Sequence, residues 1–115
     1  MPRVARLGLA SCLTVLVILL ILRFTLSVPS GGAPLPINDK LAHAIAFALL
    51  TLPLSWALPA RWAFIVAVAV VFGAGIELVQ PAFGRAREGL DLLADVVGAF
   101  AGAVAGVLLA RLKRG

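Results

Sequence analysis

One histidine, five acids and a few basic residues carry the titratable chemistry in the body of this 115-residue chain. Lys40, His43 and Phe47 are spaced by three and four residues. Gly73, Glu77 and Gln80 are spaced by four and three, and Asp91, Asp95, Gly98 and Gly102 by four, three and four. On a helix each set falls along one stripe. His43 is suited to proton exchange near neutral pH or to metal ligation, and Glu77 to general-base work or ligation. His43, Glu77 and Asp91 together are acid-base candidates for a hydrolase or transferase. Arg85, flanked by Gly84, offers a guanidinium fork that matches phosphate or carboxylate, including a lipid headgroup or a lipid-linked pyrophosphate.

Each of these residues also has a packing alternative. His43 can be a polar tie between helices, Glu77 a counter-ion to Lys40 or Arg85, and Arg85 part of a solvated loop, which is also the reading for Arg87. Asp91 and Asp95 stand one turn apart and repel unless Lys40, Arg85 or a metal lies between them. Their spacing with His43 matches no established metal motif, so no metal and no cofactor is assigned. No serine or cysteine nucleophile accompanies His43, and no catalytic residue is assigned.

The elements that position these groups follow from composition. Hydrophobic residues make up 63% of the chain and charged residues 13%, with mean hydropathy +1.13. One small soluble core cannot bury that much apolar surface, which excludes soluble enzymes and disordered tails and indicates a membrane protein. Uncharged stretches at 7–22, 41–60, 62–76 and 96–110 extend by flanking turns to spans of about 7–27, 40–58, 61–79 and 91–110, near the ~20 residues that cross a bilayer. The expected fold is an all-α, four-transmembrane-helix antiparallel bundle, a single domain over 1–115. Pro59-Ala60-Arg61, flanked by Trp56 and Trp62, breaks the chain between spans two and three and makes them an antiparallel hairpin. The segment from Val28 to Ile37, with three prolines and Gly31-Gly32, reads as an extramembrane loop, with Asn38 or Asp39 capping the second span. The stripe Gly98, Gly102 and Gly106 is read as helix packing.

Charge gives the orientation. Arg3, Arg6, Arg61, Arg111, Lys113 and Arg114 fall on one side of a four-span arrangement. Arg23, Lys40, Arg85, Arg87 and all five acids fall on the other, so +6 and −1 recover the net charge of +5. The positive-inside rule makes the first side, with both termini, cytoplasmic. The pI of 11.2 therefore reflects topology, and no aromatic-basic patch points to nucleic acid. Lone Cys12 makes no internal disulfide. Leu9-Ala10-Ser11-Cys12 approximates a lipoprotein cleavage box, but the main hydrophobic run follows it, and the segment is read as a retained first span.

Laid antiparallel, the helices bring Lys40, His43, Glu77, Gln80, Asp91 and Asp95 to one outer level, with Arg85 in the adjoining loop. Ionisable groups at membrane depth are costly unless they face protein, water or each other, so this convergence is the candidate site.

Asp39-Lys40-x-x-His43, Glu77-x-x-Gln80, Gly84-Arg85, Asp91 and Asp95-x-x-Gly98-x-x-x-Gly102 together resemble the VanZ-like family of small bacterial membrane proteins, over roughly residues 37–106. The resemblance implies a multi-pass protein of the bacterial inner membrane and cell envelope. Asp95 departs from it, since Asn is usual there, and the family's link to glycopeptide resistance is not carried over. The expected role is binding of an envelope lipid or lipid-linked anionic precursor at the outer-face site. An enzyme acting on such a lipid and a small proton-coupled carrier are the rivals. Membrane lipids are the expected partners, and the large lipid-facing surface of so small a bundle suits a homo-oligomer.

Overall fold

A computed structural model describes residues 2–25, 39–79 and 89–114, with the backbone alone described at 24, 25, 39, 89–91, 113 and 114. Four α-helices follow in order: α1 Arg3–Thr25, α2 Asp39–Ala57, α3 Trp62–Val79 and α4 Gly89–Arg114. All four are long and apolar enough to cross a membrane. Main-chain amides and carbonyls have no water to bond in hydrocarbon, so the apolar runs close their hydrogen bonds internally as helices. α1 starts a turn before its uncharged run, taking in Arg3 and Arg6, with Arg6 N–H bonded to the Pro2 carbonyl at 3.0 Å. Pro53 lies inside α2. It cannot donate to the Leu49 carbonyl one turn earlier, yet the helix continues to Ala57.

Between α2 and α3 the chain reverses through a 3-10 turn at Pro59–Arg61. Leu58 N–H bonds the Leu54 carbonyl at 2.7 Å and Arg61 N–H the Leu58 carbonyl at 2.9 Å. Pro59 at the first position of the turn loses nothing by lacking an N–H, because that group would have no partner within it.

Successive helices run antiparallel, which makes α2 and α4 parallel, and these two form the most extensive contact in the bundle. Gly98 packs on the backbone of Ala44, Gly102 on Ala48 and Gly106 on Leu52, so equal steps of four residues on both helices keep one register. A β-carbon at Gly98 would lie 2.7 Å from Ala44 Cα, and one at Gly106 would lie 2.5 Å from the Leu52 carbonyl oxygen. Without side chains at these positions the two backbones approach closely and gain dispersion contacts, the main source of helix association where lipid is as apolar as leucine. Thr51 closes the seam: its hydroxyl donates to the Ala99 carbonyl at 2.7 Å, with the Phe47 carbonyl at 3.3 Å.

α1 leans on α2, and α3 packs on α4 and less extensively on α2. The Phe47 and Phe72 rings, 6.2 Å apart, join α3 to α2, and Trp62 meets Phe100 edge-on at 6.3 Å to join it to α4. The buried core runs through Ile21, Phe47, Leu50, Val66, Ala69, Ile76, Ala99 and Ala103. Leu16, Leu19, Phe64, Val71, Val97 and Val104 point outward and are more than half exposed. This apolar exterior suits lipid.

Candidate functional site

The acidic end of the bundle holds a buried polar contact between α2 and α4. His43 Nδ1 lies 2.9 Å from Asp95 Oδ1, and the two side chains are only 10% and 5% exposed. An ionised carboxylate only accepts, so Nδ1 carries the hydrogen in that state. Both residues sit where the glycine seam begins, since Asp95 is three residues before Gly98 and His43 directly precedes Ala44. The seam thus sets the spacing across which the pair bonds.

The second carboxylate oxygen of Asp95 faces α3 at a glycine. A β-carbon on Gly73 would stand 3.0 Å from Asp95 Oδ2 and 3.2 Å from the Phe47 ring. Any side chain there would push back either the carboxylate or the ring. Glu77 is one turn further along α3 and is itself buried, at 8% exposure, with Oε1 meeting no hydrogen-bond partner among the described residues. An acceptor left in that condition typically costs ~1–3 kcal/mol. Lys40 begins the same face of α2, half-buried, and is held by an interaction of its own.

Among the residues singled out from the sequence, His43 and Asp95 therefore come into direct contact, and Glu77 is buried one turn from the glycine that receives Asp95. The side chain of Asp91 and the whole of Gln80 and Arg85 lie outside the described residues, as does Asn38. No cluster of three His, Cys, Asp or Glu among the described residues has the arrangement of a metal site. Glu77 therefore does not complete a three-ligand cage with His43 and Asp95.

Sequence reasoning missed Thr51 and Ser55, both fully buried polar residues. They continue the His43–Phe47 stripe by two further steps of four, a signal carried by residue spacing alone. Thr51 spends its hydroxyl on the seam, whereas Ser55 Oγ has no partner among the described residues. The match of Gly98-x-x-x-Gly102 to Ala44-x-x-x-Ala48 was likewise present as small residues at the same interval.

Searches of family models, curated proteins and solved structures find no match to this chain. What stands plainly is a multi-pass membrane protein with four helices able to span, folded as a bundle around a parallel α2–α4 seam.

Proposed function

We propose that this is a VanZ-like protein of the bacterial cell envelope that binds a lipid or lipid-linked anion at its acidic, outward-facing end. The observation carrying this reading is the buried Glu77 oxygen, which has no donor among the described residues. A ligand that supplies a hydroxyl or ammonium hydrogen there relieves the unmade bond, while its phosphate engages Lys40 and Arg85. The ligand class that fits is a lipid headgroup bearing both phosphate and donors, as in a lipid-linked sugar phosphate. The His43–Asp95 pair holds α2 and α4 in place around it. The ordered motifs from Asp39 to Gly102 support the family assignment, and segregation of every acid from the basic termini supports the orientation.

The test is purification in mild detergent or nanodiscs followed by mass spectrometry of co-purifying lipids and metals. Wild type is expected to retain a phosphate-bearing lipid. Glu77→Met, which removes the acceptor at similar volume, should lose most of it with the fold unchanged. Equal retention by both proteins refutes the reading.

A hydrolase or transferase acting on the same lipid is the second reading, favoured by the His43–Asp95 contact. A carboxylate on Nδ1 fixes an imidazole in orientation and tautomer, as general-base catalysis requires. Turnover of the co-purified lipid, abolished in His43→Gln, would establish it. The carrier reading gains less, since buried Phe47 stands between His43 and Thr51 on α2 and the Thr51 hydroxyl is committed to Ala99.

A further inference from the structure

The end of the bundle opposite His43 and Asp95 gathers four arginines that are remote in sequence. Arg3 and Arg6 of α1, Arg61 of the 3-10 turn and Arg111 of α4 line one open cavity of about 600 Å³. Its lining includes no acid, and Glu77 and Asp95, the acids whose side chains are described, lie toward the opposite end of the bundle. Arg6 is drawn partly inward, and its Nε is buried with no acceptor among the described residues. Exposed cations at a membrane surface ordinarily spread into water. Here the helix ends and the turn bring four arginines to one volume, and the Nε of Arg6 is removed from solvent with no bond among the described residues.

We infer that this cavity is a binding site for a phosphate-bearing anion with two or more negative charges. Guanidinium forks match phosphate oxygens pairwise, and four of them without a carboxylate leave a surplus of positive charge that a single monoanion does not neutralise. The remaining walls are apolar, with Leu58 just before the turn, Trp62 at the start of α3, and Val107 and Ala110 on α4. A phosphate seated among the arginines could therefore carry acyl chains alongside the helices. Basic pockets between membrane helices take diphosphate lipids in this manner. A free diphosphate shares the same headgroup chemistry. The inference stands apart from the outer-face reading, because it uses no residue of that site.

Purified full-length protein in neutral-detergent micelles would be titrated with diphosphatidylglycerol, with phosphatidylcholine and with inorganic pyrophosphate. Thermal stabilisation and native mass spectrometry read binding. Arg61→Gln and Arg111→Gln change exposed side chains, so their ligand-free melting temperatures should match wild type. Each should weaken binding of the anionic probe about tenfold, the scale of one charge-assisted hydrogen bond. Arg23→Gln, at the other end of α1, should not. Binding of the diphospholipid that pyrophosphate does not reproduce identifies a lipid as the source, whereas equal binding of pyrophosphate identifies a soluble anion. Both outcomes support the site. It is overturned if phosphatidylcholine binds as well as diphosphatidylglycerol and pyrophosphate not at all, if no probe binds, or if Arg23→Gln weakens binding as much as the two cavity variants.

Discussion

Replacing Gly98 by alanine adds one methyl group where α4 meets α2, and the outcome can be worked through from the geometry. The new β-carbon would lie 2.7 Å from Ala44 Cα, whereas ordinary contact begins at 3.4 Å. The neighbour is backbone and cannot rotate away, and the Ala44 carbonyl oxygen lies nearer still, so the helices must part locally by at least about 0.7 Å. That movement lengthens the 2.9 Å contact of His43 with Asp95 to about 3.6 Å or more, beyond hydrogen-bonding range. Overpacking of this kind costs ~1–3 kcal/mol and a lost hydrogen bond ~0.5–1.5 kcal/mol, while replacing a helical glycine by alanine returns ~1 kcal/mol. The expected net loss is about 2 kcal/mol, a factor of about 30 in the folding equilibrium. Gly75 supplies the comparison, since a β-carbon there meets nothing within 4 Å. Gly75→Ala should be neutral or stabilising by up to ~1 kcal/mol. Both variants would be unfolded reversibly in mixed micelles by raising the fraction of denaturing detergent, with helicity as the signal. If Gly98→Ala tolerates as much denaturing detergent as Gly75→Ala, the close α2–α4 approach is not how this bundle packs.

Asp95→Asn keeps an oxygen that accepts from His43 and should lose under ~1 kcal/mol, whereas Asp95→Ala leaves the imidazole donor buried and unmet and should lose ~1–3 kcal/mol. Should Asp95→Asn fold normally yet fail, as completely as Asp95→Ala, to complement a deletion phenotype, the charge itself is functional and the packing account is wrong. A double-mutant cycle of His43→Ala and Asp95→Ala should show coupling of ~0.5–3 kcal/mol, and additive losses would mean that the two side chains do not interact in solution. For orientation, a cytoplasm-only reporter fused at Gly115 should be active and cysteines placed at Gly32 and Glu88 should react with impermeant reagents from outside. Cytoplasmic shielding of Glu88 would invert the arrangement.

The fold class was legible because span number depends on the length of uncharged runs, and those runs are unambiguous in a chain with 13% charged residues. Which helices pair most closely was not. Glycines at intervals of four announce that some backbone comes near, but the identity of that backbone depends on the rotation of every helix about its own axis. Rotation is decided by the whole set of side chains at once. Ala44 and Ala48 were the available clue, and among so many alanines the clue is weak. The site shows the same division. Sequence spacing brought His43, Glu77 and Asp95 to one end, while the selection of Asp95 over Glu77 as the partner of His43 required the α2–α4 seam and the gap left by Gly73.

The parallel seam also fixes an order of events during synthesis. Its two sides are far apart in the chain, with His43 and Asp95 separated by 52 positions and Thr51 and Ala99 by 48. At ~5–20 residues per second, the ribosome needs about 3–10 s to make that interval. For most of it, from Ala57 onward, α2 is complete, but its Ala44–Ala48 surface has no α4 to receive it and His43 has no Asp95. A nascent chain paused before Asp95 therefore displays a histidine and a strip of small residues to whatever shares its lipid environment. The arrival of α4 is the step that withdraws both from view. A quality-control factor that samples membrane helices for exposed polar groups would thus distinguish a finished molecule from an unfinished one by the groups that α4 covers, the imidazole of His43 and the hydroxyl of Thr51.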